Sequence, residues 1–455
     1  MNNTNHLIRF WALLSLSCVA GQWVWGKETN VSLEEVVAIV QRDNPEIKAA
    51  RERWRAFKAR VSQASTPDKP RLDFERMYAP RGQNVWTDAE EKNVVLSQEI
   101  PFPTTLYFAG RRARHEADEA EAAYRAKERD VLSRAKGAYA MLYLSHHAIH
   151  IFEENVDLMR QFSKVAEAKF AAGKASQSDA LKAQVELSKM MNELVTLQQE
   201  KETNAALLNT LLNRAPESPL GMPNEPDPKL FSLGSVLAPF GGPSDGRGDD
   251  SMSSKMPDKS GNDKHGGDLS ALEALAIASR PELRGAAFAV DKSQTQVTLG
   301  RSDYLPDIML QYRRRDMVDG MKSHDAMVGF TLPLWFWKQG AMVREARAER
   351  DMAQAEYQNM KNMTLFDVKS LLVKVQTAQR LAELYQTSVL PQAEHALNVT
   401  SAAYRADKMS FLELLDAVRS LLQFRLEHYE HLAQFEQFKA ELERVVGVDL
   451  VAKEK

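Results

Sequence analysis

One feature restricts this chain more than any other: the same string of landmarks is written twice, in the same order. Asn44-Pro45-Glu46-Ile47 precedes a charged helical stretch, after which Pro70 opens Arg71-Leu72-Asp73-Phe74. Arg280-Pro281-Glu282-Leu283 precedes a similar stretch, after which Pro306 opens Asp307-Ile308-Met309-Leu310. The two prolines stand 25 residues apart in both copies. Further on, Ile100-Pro101-Phe102 answers Leu332-Pro333-Leu334, and Phe170-Ala171-Ala172-Gly173 answers Tyr404-Arg405-Ala406-Asp407. A repeat this long, with its landmarks in register, is a duplicated supersecondary unit.

Each unit reads as helix, strand, strand, very long helix, second long helix. Ser32-Leu33-Glu34-Glu35 supplies an N-cap and the acidic first turn that the helix dipole favours. Helical periodicity then runs from about residue 46 to 65. Val131, Ala135, Ala138, Leu142, Ile149, Phe152, Val156, Met159, Ala166 and Phe170 follow alternating steps of three and four, with Ser145 and Ser163 in the gaps. That is a sustained heptad, the pattern of coiled-coil packing. Leu365, Val368, Leu372, Val375, Ala382 and Val389 repeat it in the second copy. A helix over 110–171 would be roughly 90 Å long, a rod that no compact domain needs.

Short stretches of period two separate the helices. Leu72, Phe74 and Tyr78 alternate with Asp73 and Glu75; Val94, Leu96 and Ile100 with Val95, Ser97 and Glu99. Ile308, Leu310 and Tyr312 alternate with Asp307, Met309 and Gln311; Ala326, Val328, Phe330 and Leu332 with Met327, Gly329 and Thr331. Each has an apolar and a mostly polar face. In a soluble sandwich the apolar faces pack together; in an outer-membrane barrel they face lipid and the polar faces line water. Four strands cannot close a membrane barrel, and lipid tolerates no open sheet edge. Membrane insertion therefore requires several chains to share one barrel.

Acidic and basic residues nearly cancel, to a formal net charge of −3, which argues against a nucleic-acid binder. The only cysteine is Cys18, so the body has neither disulfide nor thiolate chemistry. No nucleophile elbow, phosphate loop, HExxH or paired-cysteine motif points to an enzyme, and no cofactor is expected. Residues 1–26 read as an export signal: His6 and Arg9 precede a short apolar core, with cleavage after Gly21 or Gly26, or lipidation at Cys18 as the alternative. No later segment reads as a transmembrane helix. Pro239 to Asp268 is rich in Gly, Ser, Asp and Lys and reads as a disordered linker. The expected division is a signal over 1–26, a first repeat over 27–223, a linker over 224–268, a second repeat over 269–448 and a tail over 449–455.

Taken together, these landmarks resemble the TolC-type outer-membrane channels of tripartite efflux and secretion systems. The resemblance rests on the paired Asn-Pro-Glu and Arg-Pro-Glu turns, the strand ends at Pro101 and Pro333, and Gly110 and Gly340 just beyond. It rests also on the runs Phe170 to Asp179 and Tyr404 to Asp416, and it covers nearly the whole mature chain. Gly173 to Gln177 and Pro333-Leu334-Trp335 look most like the branch that serves heavy-metal cation pumps. The resemblance implies a mixed α and β fold. Three chains, each giving four strands, form one twelve-stranded β-barrel in outer-membrane lipid, continued across the periplasm by a coiled-coil α-helical barrel. It further implies a periplasmic adaptor and an inner-membrane pump as partners. Drug efflux and type I protein secretion are the alternative cargo routes. A periplasmic coiled-coil adaptor is the rival class, but adaptors carry Gly- and Val-rich lipoyl-like and barrel domains that are missing here.

The resemblance points to the turns between long helices, Gly173–Asp179 and Asp407–Asp416, as the periplasmic entrance. Glu413 and Asp416, three apart on one helix face, are implied to form acidic rings that favour cations. The same acids are also what an ordinary first helical turn carries. Tyr404 and Asp179 match positions that bond neighbouring helices and hold the entrance closed, whereas Met409 falls where a relative carries an arginine. His146 and His150 have the i, i+4 spacing of metal ligands, next to His147, but sit midway along a charged helix. Trp335 and Trp337 suit either an interfacial aromatic girdle or packing against the helices, with Trp86 and Tyr78 at the opposite edge.

Overall fold

The computed structural model describes residues 32–77, 82, 84–224, 263–317 and 319–450. The expected signal with Cys18, most of the linker, Tyr78 and most of the tail lie outside the described residues.

Each repeat starts with two helices that meet at a bend. α1 (Leu33–Asp43) is capped by Ser32, and α2 (Pro45–Ala64) by Asn44, whose Oδ1 accepts from Glu46 N at 2.9 Å and Ile47 N at 3.2 Å. Proline at the first helical position needs no donor there, so Asn-Pro makes an efficient helix start.

Four strands follow in two pairs: β1 (Arg71–Met77) and β2 (Glu91–Ile100) in the first repeat, β3 (Asp307–Met317) and β4 (Lys322–Thr331) in the second. They form one antiparallel sheet of order β1-β2-β3-β4, so the two repeats are stitched along β2 and β3. The register sets Leu96 opposite Leu72 and Tyr312, Leu310 opposite Val328, and Ile308 opposite Phe330. Period two thereby gathers the apolar side chains on one face. That face is bare: Phe74 is 61 %, Val328 62 % and Phe330 62 % exposed, while Asn93 and Val95 on the opposite face are each 2 % exposed. A water-soluble antiparallel sheet covers its apolar face instead. The polar face carries ion pairs, Arg315 with Glu91 at 2.9 Å and with Asp325 at 3.0 Å.

The rods complete each repeat. α3 (Pro103–Ala171) has 69 residues and is roughly 100 Å long. It begins ahead of the expected position because Pro103 serves as its first helical residue. α4 (Gln177–Leu211) returns alongside it, and Asn44 Nδ2 donates to the Leu211 carbonyl at 2.9 Å, tying this end to the first bend. In the second repeat α5 (Asp263–Ser279) begins inside the stretch read as linker. Leu272 and Ala276 on it are fully buried, and that packing prevails over the weak helix propensity of Gly266 and Gly267. α5 meets α6 (Pro281–Ser302) at Arg280, which offers no side-chain cap; it donates instead to Thr364 Oγ1 at 3.0 Å and Asp367 at 3.3 Å.

α7 (Phe336–Leu384) runs through a π-helical turn, Tyr385–Val389, into α8 (Leu390–Arg405), and α9 (Phe411–Val446) returns. The heptad of the second copy is therefore widened where the sequence pattern reads it as uninterrupted. Pro391 cannot donate, and its ring crowds the carbonyl four residues back, which the wider turn accommodates. α4 packs along α3, α3 along α9, and α9 along α7.

Most of the α3 heptad is buried, with Val131, Ala135, Met159 and Ala166 at 0 % exposure; Phe170, at the far end, is 45 % exposed. Val36, Val40 and Ile47 pack on Val131, Leu142 and Leu208 in one core, and Leu272 and Ala276 pack on Val368, Leu372 and Leu442 in its duplicate. A third core at the far end joins the two repeats through Met159, Ala183, Leu397, Phe411 and Leu414. Burial of each large side chain contributes about 1.5–3 kcal/mol. Among the described residues no helix is long and apolar enough to cross a membrane.

Candidate functional site

The third core ends in two interhelical turns built on one plan. α3 stops at Ala171, Gly173 takes φ +71°, and Lys174 N donates back to the Lys169 carbonyl at 2.8 Å. α8 stops at Arg405, Asp407 takes φ +58°, and Lys408 N donates to the Ala403 carbonyl at 2.9 Å. These bonds satisfy the last carbonyls of each helix and send the chain sharply back. Ser176 caps α4 by accepting from Asp179 N at 3.2 Å. Ser410 and Glu413 form a reciprocal capping box on α9, with Ser410 N donating to Glu413 Oε2 at 2.8 Å.

These bonds distribute the expected entrance residues. Tyr404 is buried at 3 % exposure, edge-on to Phe411, and its hydroxyl has no hydrogen-bond partner among the described residues. Burial raises its pKa, with the carboxylates of Asp179 and Asp407 adding to the effect, so Asp179 acts on the phenol by charge. Glu413 and Asp416 are both exposed on α9, apart from the buried phenol. Glu413 already serves as a cap, and the Ser410 N–H holds its carboxyl below the usual range.

Four other residues complete the site. Lys169 Nζ lies 2.6 Å from Asp407 Oδ1 and 4.1 Å from the Tyr404 ring centroid, and it donates to the Tyr404 carbonyl. Lys169 lies in the first repeat and Asp407 and Tyr404 in the second, so this contact joins the two. The Lys169 ammonium holds the Asp407 carboxyl below its ordinary pKa. Glu186 on α4 takes both arms of Arg419 on α9, at 2.7 Å and 2.5 Å. One signal was present in the sequence: aligning the copies places Asp407 where Gly173 stands, in a position that favours glycine.

His146, His147 and His150 do not converge on a metal. Among the described residues no cluster of His, Cys, Asp and Glu could hold one. Burial drives the His146 pKa down to about 4, and His147 stacks on Tyr429 with centroids 4.4 Å apart. Trp335 and Trp337 are 61 % and 69 % exposed, so they do not pack against the helices of their own chain.

An open sheet with a bare apolar face, carried on long paired rods, has the surface of a membrane protein and not that of a water-soluble sheet. Comparison with known proteins agrees. The family described as outer membrane efflux protein matches residues 37–214 and 272–448, one segment in each repeat. The cobalt-zinc-cadmium resistance protein CzcC of Cupriavidus metallidurans is 23 % identical over 435 residues, spanning 92 % of this chain and 90 % of that one. The solved structure of CusC superposes with a TM-score of 0.73 at 16 % identity, covering 95 % of this chain and 96 % of that one. The outer membrane protein VceC of Vibrio cholerae superposes with a TM-score of 0.71 at 15 % identity, covering 92 % and 96 % respectively. The chain belongs to the outer membrane efflux protein family. It is an efflux protein of the outer membrane.

Proposed function

We propose that three copies of this chain close a twelve-stranded barrel, continued by a helical duct, and serve as the exit channel of a tripartite pump for heavy-metal cations. The observation that carries this reading is the inverted sheet: Phe74, Val328 and Phe330 lie bare while Asn93 and Val95 are covered. A bare apolar face needs acyl chains, and the outer edges of β1 and β4 need partner strands that only further copies supply. Apolar stripes on the flanking helices support the same closure. Leu181, Val185 and Val195 on α4 are 53–65 % exposed, and Phe366 and Val373 on α7 are 63 % and 47 % exposed. A contact between unlike flanks of identical chains generates a ring where its rotation closes, and a barrel without free edges requires that it does.

In this assembly the two turns of each chain form the periplasmic entrance, where an adaptor joins it to an inner-membrane pump. Three-fold repetition of Asp416 and Glu413 there gives negative rings that attract cations. The name of CzcC supports cobalt, zinc and cadmium as the cargo class. Purified protein in detergent is expected to run as a heat-sensitive trimer and to pass cation-selective current in planar bilayers. Asp416→Asn combined with Glu413→Gln should weaken that selectivity. Deletion should sensitise cells to these metals and not to antibiotics. A soluble monomer with no current overturns the channel assembly; sensitivity to antibiotics alone overturns the cargo.

A further inference from the structure

The strand register sorts the charged side chains of the sheet by face and by height. On the apolar face, the rows nearest the rods set Ile308 beside Phe330, Leu310 beside Val328, and Leu72 and Leu96 beside Tyr312, with no charged residue among them. The next row on that face holds Phe74, Val94, Arg314 and His324, and the last holds Arg76, Lys92, Asp316 and Lys322. Lys92, Arg314, Lys322 and His324 are exposed. Asp316 is the only carboxylate in these two rows, and it lies 3.3 Å from Arg314. Arg76, Lys92 and Lys322 make no ion pair among the described residues. The polar face at the same height is balanced instead: Arg315 stands 2.9 Å from Glu91, and Arg313 4.0 Å from Glu75.

Height decides what this surplus of cations meets. β2 runs on into α3 and β4 into α7, so the two charged rows lie at the end of the sheet away from the rods. With the rods in the periplasm, that end reaches the outer leaflet. A cation on the lipid face is costly at the bilayer midplane and cheap at its edge, so these rows settle at headgroup depth. The long stems of Lys and Arg cover apolar surface while their charged heads turn toward the polar layer. We propose that Arg76, Lys92, Arg314 and Lys322 form a cationic collar that binds the phosphate groups of outer-leaflet lipid. The collar rests on the lipid-facing sheet proposed above and names the headgroup chemistry which that sheet takes. Guanidinium and ammonium groups make charge-assisted hydrogen bonds to phosphate oxygens, and the apolar rows below them take the acyl chains of the same lipid. Three-fold repetition carries the collar round the barrel.

The test is the affinity of the full-length protein, in neutral detergent, for phosphorylated lipid A and for the same lipid with its phosphates removed, read by native mass spectrometry. The phosphorylated form is expected to bind at least about tenfold tighter, with a preference that shrinks as salt is raised. Arg76→Gln combined with Lys92→Gln and Lys322→Gln should erase most of that preference. Heat-sensitive trimer mobility reports whether this variant folds; if it does not, Lys92→Gln alone takes its place and should lower the preference about fivefold. Equal affinity of the parent for the two lipids overturns the collar, as does an unchanged preference in a folded variant. Displacement of the lipid by millimolar inorganic phosphate overturns the assignment to lipid. A parent that inserts into neutral phosphatidylcholine vesicles yet prefers neither lipid sinks the collar alone. One that fails to insert into any vesicle sinks the lipid-facing sheet, and the collar with it.

Discussion

Val328→Arg is the sharpest test of what the sheet touches. Val328 lies on β4, is 62 % exposed, and faces Leu310, itself 41 % exposed, across the sheet. If this face met water, the substitution would change stability by no more than about 0.5 kcal/mol. At the middle of a bilayer, an arginine on the lipid face costs about 2–4 kcal/mol per chain. In the proposed trimer this becomes about 6–12 kcal/mol for the assembly. The neighbouring Met327 supplies the control, because adjacent strand residues point to opposite faces, and Met327→Arg places its charge on the wet side. The two substitutions should therefore differ by at least about 1.5 kcal/mol per chain, roughly tenfold in the folding equilibrium. Urea titration of folding into thin-bilayer vesicles, followed by tryptophan fluorescence, reads that difference directly. Equal shifts for the two variants would refute the argument that the bare face meets lipid.

Three further outcomes follow from the helices. The Arg419 hydrogen bonds hold the Glu186 carboxyl below 4.5, so this pair stabilises fully above about pH 4.5 and is lost as pH falls through the lowered value. Melting temperature measured on acidification should accordingly fall less steeply in Glu186→Gln than in the parent. Gly447 closes α9 at φ +86°, and a β-carbon there would meet the Ser279 carbonyl at 2.6 Å. Gly447→Ala should cost about 2–4 kcal/mol from strain and overlap together, read as a lowered denaturation midpoint. The Tyr404 hydroxyl is buried with no partner among the described residues, so Tyr404→Phe removes an unsatisfied polar group and should leave the melting temperature unchanged or slightly raised. A clear fall in melting temperature would show that the hydroxyl is bonded after all.

Much of the local structure was legible from neighbouring residues alone. Ser32, Asn44 and Ser410 cap helices because their short polar side chains reach orphan N–H groups within three residues. The heptads of α3 and the alternation of the four strands likewise need only local spacing. The expected entrance residues did fall at the helix turns, but their partners escaped notice. Lys169 lies 238 residues from Asp407, and Glu186 lies 233 from Arg419, distances over which periodicity carries no information. The π-helical turn before Pro391 was equally hidden, since a proline in a long helix tells of disruption but not of how the backbone absorbs it.

The amino-acid order by itself determined that there are two similar units, that each pairs short strands with long rods, and that every strand has an apolar and a polar side. It did not determine which side is covered, because alternation has the same period in a soluble sandwich and in a membrane barrel. Only the tertiary arrangement decided that, by pairing the strands into one sheet whose apolar side is left bare while its polar side is covered along β2, at Asn93 and Val95. The physical reason is that side-chain direction follows from local backbone geometry, whereas burial depends on residues brought together from distant parts of the chain.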